Sequence, residues 1–132
     1  MEEKNDRWED GAGFVLISKD TDLMLVLLRE DGQYDIPKGI KEKGESDLQC
    51  AIRECFEECS IVVDQKDVRP GYVTNGYLSI FLAYTDGIPH ILPNQSTGIL
   101  EHVGFRWVDA KDAVAGALDY LKPLIRSADS LK

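Results

Sequence analysis

Ser46 and Gln49 stand three residues apart, just ahead of a segment whose apolar residues recur every three or four positions. That pairing is a capping box: the serine oxygen accepts from the glutamine amide, and the glutamine side chain reaches back to the serine amide. Asp47 adds a carboxylate in the first turn, where the positive end of the helix dipole favours it. The spacing predicts a helix from about Asp47 to Cys59, with Leu48, Ala51, Ile52, Cys55 and Cys59 forming a buried stripe.

The same helix carries Glu54, Glu57 and Glu58 on a different face. Like charges at i, i+3 and i+4 cost roughly 0.2–0.5 kcal/mol per pair. Glu57 and Glu58 also fall in the last turn, where the dipole disfavours anions. A helix selected for stability alone would avoid this arrangement. Two readings account for it. One is a solvated acidic face partly neutralised by Arg53, which can pair with Glu57 at i+4. The other is a site for a hard divalent cation, Mg²⁺ or Mn²⁺, which takes oxygen ligands and leaves positions for water and substrate phosphates.

Elsewhere the pattern alternates strands with helices. Gly13 to Ser18 and Leu23 to Arg29 are predicted strands of a hairpin, turning through Lys19 to Asp22. Gln33 to Ile36 is a short strand stopped by Pro37, after which the chain continues as a loop into the helix. Val62 to Val63, Val68 to Thr74, Tyr77 to Tyr84 and Val103 to Val108 are further strands, with Asn75-Gly76 a tight-turn signal. Asp109 caps a helix running to about Ala117, and a second runs from about Lys122 to Leu131 with Pro123 tolerated in its first turn. This order suggests an α/β sandwich, and the 132 residues suit one domain spanning 1–132. The connection from Asp86 to His102 is long for a compact domain, and is expected to flank a substrate or to be plain surface loop.

Charge and composition narrow the partners. A net charge of −9 argues against a long nucleic acid, since phosphate backbones need a basic surface. A small anionic substrate remains compatible, given bound cations and a few local Lys or Arg. No apolar run approaches the ~18 residues that span a bilayer, and the start MEEKNDRWED is too polar for a signal peptide, so no membrane association and a cytoplasmic location are expected. Cys50, Cys55 and Cys59 form neither a CxxC pair nor a disulfide framework and read as reduced core or boundary thiols. His90 and His102 lack ligand spacing. Oligomeric state has no signature in the pattern.

From Gly39 to Ile61 the chain resembles the signature of the Nudix hydrolases. That signature is Gly, five residues, Glu, seven residues, Arg-Glu, an apolar residue, any residue, Glu-Glu, any residue, Gly and an apolar residue. Gly39, Glu45, Arg53, Glu54, Cys55, Glu57, Glu58 and Ile61 fill eight of its nine specified positions. Only Ser60, in place of the final Gly, departs; it would adopt a left-handed conformation at roughly 1–2 kcal/mol.

The resemblance implies a mixed sheet between helices and metal-dependent hydrolysis of a nucleoside diphosphate linked to another group. It also implies residue roles. Glu54, Glu57 and Glu58 would ligate Mg²⁺ or Mn²⁺, helped by the main-chain carbonyl of Lys38. Arg53 would orient the carboxylates with Glu45 as partner, unless the two form a purely structural pair. Glu101 is the first candidate for the general base and Glu58 the second.

Outside the signature, EHVGFRW from Glu101 to Trp107 is similar to a stretch in the diadenosine tetraphosphate hydrolases. YDIPKG from Tyr34 to Gly39 resembles their lead into the signature, which makes Tyr34 and Lys38 substrate-binding candidates. Tyr77, sixteen residues beyond Ile61, stands where such enzymes often carry a Tyr that stacks on a base. Ile40 replaces a common His, and the strand from Tyr77 to Tyr84 lacks the Lys of the animal-type enzymes. The expected substrate is a small nucleotide, foremost a dinucleoside polyphosphate. Alternatives are a modified nucleoside triphosphate, a diphosphoinositol polyphosphate, a 5′ triphosphate RNA end, or a non-catalytic binding module of the same fold.

Overall fold

The computed structural model describes residues 9–94 and 97–132. Most of the polar start therefore lies outside the described residues, as do residues 95 and 96. Seven strands among the described residues form one mixed sheet: β1 (Gly11–Ser18), β2 (Met24–Leu28), β3 (Tyr34–Asp35), β4 (Lys38–Ile40), β5 (Val73–Thr74), β6 (Leu78–Thr85) and β7 (Gly104–Val108). Among the described residues three α-helices cover it: α1 (Asp47–Cys59), α2 (Ala110–Gly116) and α3 (Lys122–Asp129).

Side chains alternate across the sheet with the two-residue period of a strand. Ala12, Phe14, Leu16, Leu25 and Leu27 pack with Cys50, Ala51, Cys55 and Cys59 of α1. Val15, Ile17, Met24 and Val26 face the other way, against Ala113, Leu121, Leu124, Ile125 and Ala128 of the α2 and α3 layer. The result is an α/β/α sandwich.

β1 runs parallel to β6 through eight paired residues, from Gly11 with Leu78 to Ser18 with Thr85. Its contact with β2 is confined to the hairpin end, where Ile17 pairs with Met24. The two strands then part. β3 pairs with β2 through Leu27 and Leu28, while β4 pairs with β1 through Gly11, Ala12 and Gly13. β7 occupies the other edge of β2 along its whole length.

Close approach at this fork is possible because two of the β1 residues lack side chains. A Cβ on Gly13 would run into the Pro37 carbonyl and Lys38, and one on Gly11 into the Gly39 carbonyl. That is why Lys38–Ile40, expected as a loop, forms a strand.

Other elements also differ from expectation. Val62–Val63 is not a strand: Val63 is buried against the α1 layer, Val62 is 73% exposed, and Asp64 at once caps a 3₁₀ turn over Gln65–Asp67. The predicted strand Val68 to Thr74 shrinks to Val73–Thr74, with a single bridge from Val68 to Ala83. Pro70 has no amide to pair, and Gly71 at φ 88° bends the chain between them. A 3₁₀ turn at Asp119–Leu121 leads into α3, which ends at Asp129 rather than Leu131. The other strands and α2 lie within two residues of their predicted limits.

The capping box of α1 is formed, with Ser46 Oγ accepting from the Gln49 amide at 3.1 Å and Gln49 Oε1 from the Ser46 amide at 2.8 Å. Ala51, Cys55 and Cys59 are fully buried, whereas Leu48 and Ile52 pack only at the edge of that core. Cys50, outside the predicted stripe, is buried too because it lies beneath β4 with Sγ 3.5 Å from the Gly39 carbonyl. All three cysteines are free thiols.

Ser60 ends the helix in the left-handed region at φ 65°, and its hydroxyl donates to the His90 carbonyl at 3.0 Å. The cost of the conformation thus comes with a tie to the 86–102 connection.

Two outcomes are expected. Gly13→Ala should lower the denaturant-derived stability by about 1–3 kcal/mol, the usual cost of overpacking, because the new methyl meets backbone. Ser60→Gly should leave stability within about 1 kcal/mol of the parent, since relief of strain offsets the lost hydrogen bond. Hydrogen exchange at the His90 amide, which donates to the Cys59 carbonyl, should nevertheless become faster.

Candidate active site

Arg53 organises the carboxylates. Its Nε donates to Glu45 Oε2 at 2.6 Å and its Nη2 to Glu45 Oε1 at 3.0 Å and the Ile40 carbonyl at 3.0 Å. Nη1 reaches Glu54 Oε2 at 2.9 Å and Glu57 Oε1 at 3.3 Å. One planar guanidinium therefore fastens the loop before α1, the β4 backbone and two of the three helix glutamates. The hydrogen bond to Glu45, with Glu54 beside it, raises the Arg53 pKa, and the same bond holds Glu45 below the usual carboxylate range.

Gly39 belongs to this arrangement, because a Cβ there would overlap the Glu54 carboxyl group. At the helix start, Asp47 accepts from Lys41 Nζ at 2.9 Å and Ser79 Oγ at 3.0 Å, tying α1 to β6.

Glu54 and Glu58 are partly buried. Desolvation pushes Glu54 up, against the pull of Arg53 and with help from the negative charges of Glu57 and Glu101. Glu58 is pushed up to about 9 by burial, only partly countered by the Lys38 charge and by the Lys38 amide, which donates to Glu58 Oε1 at 3.2 Å.

Behind Glu58 lies a polar cluster that sequence spacing does not disclose. Lys38 Nζ is 3.1 Å from Asp35 Oδ1 and 5.9 Å from the centre of the Tyr120 ring. Asp35 Oδ2 is 3.1 Å from His102 Nε2. Burial opposes ionisation of both Asp35 and Lys38, yet their neighbours outweigh it. His102 and Lys38 hold the Asp35 pKa low, while Asp35, Tyr120 and Glu58 hold that of Lys38 high. The one hint in the sequence is an aspartate inside a predicted strand, an unfavourable place for it. Its partner lies 67 residues away.

A cavity of about 610 Å³ opens between the second half of α1 and the 86–102 connection. Glu54, Glu57, Glu58, Glu101 and His102 line one part of it, and Phe56, Leu92 and Pro93 contribute apolar surface. Glu101 Oε2 accepts from Asn94 Nδ2 at 3.0 Å.

Two other candidates are not brought together with these carboxylates. Tyr34 lies on the α2 and α3 side of the sheet, its ring against Gly116 and its hydroxyl 3.4 Å from Arg106 Nη1. Tyr77 sits at the β5–β6 turn with its amide on Asn75 Oδ1 and its ring half-exposed. Neither lines the cavity.

Oxygen donors in this number suit a hard divalent cation. Among the described residues no three His, Cys, Asp or Glu side chains converge closely enough to hold a metal ion as they stand. Glu54 and Glu57 turn instead to Arg53. The fit rests on electrostatics: Glu54 and Glu58 are placed where burial and like charge disfavour ionisation, a cost that a bound cation would remove.

The mixed sheet between helices is the fold that the resemblance to the Nudix hydrolases implied, and Arg53 and Gly39 shape the surroundings of its glutamate-rich helix. The NUDIX domain family model matches residues 8–127, and the chain belongs to the Nudix family. It is an enzyme that hydrolyses pyrophosphate bonds, and the family generally uses divalent ions such as Mg²⁺ or Mn²⁺.

Solved structures share the fold at low identity. The Ap4A hydrolase of C. elegans in a binary complex is 22% identical with a TM-score of 0.66, covering 92% of this chain and 96% of that one. The dihydroneopterin triphosphate pyrophosphohydrolase of E. coli is 22% identical at 0.62, with coverage of 89% and 92%. The MutT protein of Methanosarcina mazei is 17% identical at 0.64, with coverage of 92% and 93%. No curated protein matches the sequence. None of the described helices is long and apolar enough to cross a membrane.

Glu58 makes the metal-free protein sensitive to pH. A carboxyl raised from 4.5 to about 9 on folding contributes stability that is complete below 4.5 and lost as pH rises through about 9. A cation held in part by Glu58 would need it ionised, so stabilisation by added Mg²⁺ should then grow over the same interval. Thermal unfolding across that range, with and without Mg²⁺, should show both trends, and Glu58→Gln should flatten them.

Proposed function

We propose that this chain, acting as a single domain on a small nucleotide in the cytoplasm, hydrolyses the pyrophosphate linkage of a dinucleoside polyphosphate. The observation that carries the reading is the position of Glu101. It belongs to the EHVGFRW stretch and lines the same cavity as Glu54, Glu57 and Glu58, near enough to Glu54 for its charge to raise that carboxyl.

Glu54, Glu57 and Glu58, with the Lys38 main-chain carbonyl, would hold Mg²⁺ or Mn²⁺. When bound there, such a cation would supply a lowered pKa for water and neutralisation of charge on phosphoryl oxygens. Arg53 and Glu45 keep the glutamates in place without meeting substrate. Glu101 accepts the proton of the attacking water, with Glu58 as the second candidate. Lys38 is the phosphate-binding candidate, but Asp35 holds its ammonium behind Glu58 and it does not line the cavity, so a phosphate would have to reach past Glu58 to meet it. Bases that stack on Tyr34 or Tyr77 would lie beyond the cavity.

That last point favours a second reading, a nucleoside triphosphate substrate, which needs no stacking site outside the cavity.

Incubation with Mg²⁺ or Mn²⁺ and a panel of dinucleoside polyphosphates and nucleoside triphosphates separates the two. Diadenosine tetraphosphate should be cleaved at the greatest kcat/KM. Clear turnover of a triphosphate with none of any dinucleoside polyphosphate would replace the leading substrate with the second. Glu57→Gln should reduce turnover severely, and activity unaffected by it would remove the metal assignment. Glu101→Gln should lower kcat by about 10²–10⁴; full turnover at every pH would move the base elsewhere.

A further inference from the structure

Asp35 and His102 are both nearly inaccessible, with 6% and 4% of their surface exposed, and the family chemistry leaves them without a task. Both oxygens of the Asp35 carboxylate are engaged. Oδ1 accepts from the Ile36 amide at 2.8 Å and lies 3.1 Å from Lys38 Nζ, while Oδ2 faces His102 Nε2 at 3.1 Å. A carboxylate so surrounded cannot swivel. Because an ionised aspartate only accepts, Nε2 of His102 carries a proton and donates, which orients the ring.

We infer that Asp35 and His102 form a positioning pair that sets Glu101 in the cavity beside the α1 carboxylates. This rests on the reading of Glu101 as general base. Immediately after His102, the Val103 amide donates to the Leu28 carbonyl at 2.8 Å, so the chain is anchored at 102 and 103 by one side-chain and one main-chain tie. Glu101 is the first residue outside that anchor. Its own side-chain bond goes to Asn94 on the exposed connection. The register of Glu101 is therefore taken from the sheet through His102.

Glu58 is tied to the same carboxylate. Asp35 holds the Lys38 ammonium, and the Lys38 amide donates to Glu58 Oε1. One buried aspartate at the fork of the sheet thus relates Glu101 to Glu58. Stability does not call for it, since an apolar pair of similar volume commonly serves a core as well as a buried ionic one. Placement does, because displacement of a reacting group by ~1 Å can cost about 10²-fold in rate.

The test uses the full chain saturated with Mg²⁺, diadenosine tetraphosphate as substrate, or the triphosphate that the panel selects, and four variants: His102→Leu, His102→Gln, Glu101→Gln and the double variant with Leu and Gln. His102→Leu should lower kcat by about tenfold to a hundredfold with KM within about threefold. His102→Gln, which keeps a side-chain N–H in reach of Asp35, should restore most of the loss. In the double variant His102→Leu should add less than about twofold to the effect of Glu101→Gln, because it acts through that residue. Should His102→Leu not fold, His102→Asn, too short to reach Asp35, takes its place in the cycle.

A variant that melts earlier yet keeps kcat within about twofold would reduce the pair to a structural one and overturn the proposal. Full additivity in the double variant would overturn it as well. Glu101→Gln at full turnover would instead remove the base assignment, and the positioning role with it, whereas loss in Glu101→Gln but not in His102→Leu would remove the positioning role alone.

Discussion

One guanidinium carries the architecture of the site. Arg53 joins Glu45 in the loop ahead of α1, the Ile40 carbonyl on β4, and Glu54 and Glu57 on its own helix. Without it these carboxylates would repel one another in the partly buried half of the helix, and the loop from Lys41 to Ser46 would lose its main attachment. Planarity matters as much as charge, because both Glu45 oxygens are met by parallel donors. A lysine would supply the charge to one of these partners at a time.

The hub can form only because the backbone beneath it is bare. Gly11 and Gly13 admit β4 against β1, and Gly39 lets Glu54 lie over β4. Splitting β1 from β2 opens the notch in which Asp35, Lys38 and Glu58 meet. Fold and site are therefore not separable layers of design here. The missing methyl groups that let strands pair also allow a carboxylate to approach the sheet.

Local signals were legible where the physics is local. The capping box of Ser46 and Gln49, the left-handed Ser60 and the Asn75-Gly76 turn all depend on neighbours a few residues away. Arg53 with Glu57 belongs to the same class. What spacing could not show is contact made through tertiary structure. The Asp35–His102 pair spans 67 residues, β4 exists because of glycines on another strand, and Val62–Val63 has strand composition but runs at once into the 3₁₀ turn capped by Asp64. Tyr34 and Tyr77 make a related point. A family pattern gave each a position in sequence, and the fold placed both outside the cavity lined by the glutamates.

The hydrophobic side of the glutamate helix has an implication for how inhibition is interpreted. Cys50, Cys55 and Cys59 are wholly inaccessible, and burial beside Glu45 pushes Cys50 up to about 11, so little of it is thiolate at neutral pH. None of the three can meet a thiol reagent while α1 rests on the sheet. Loss of activity under such a reagent would therefore record how often the helix lifts away. The thiols act as a timer for the opening of that layer, and their reaction would carry no information about a nucleophile in the cleft.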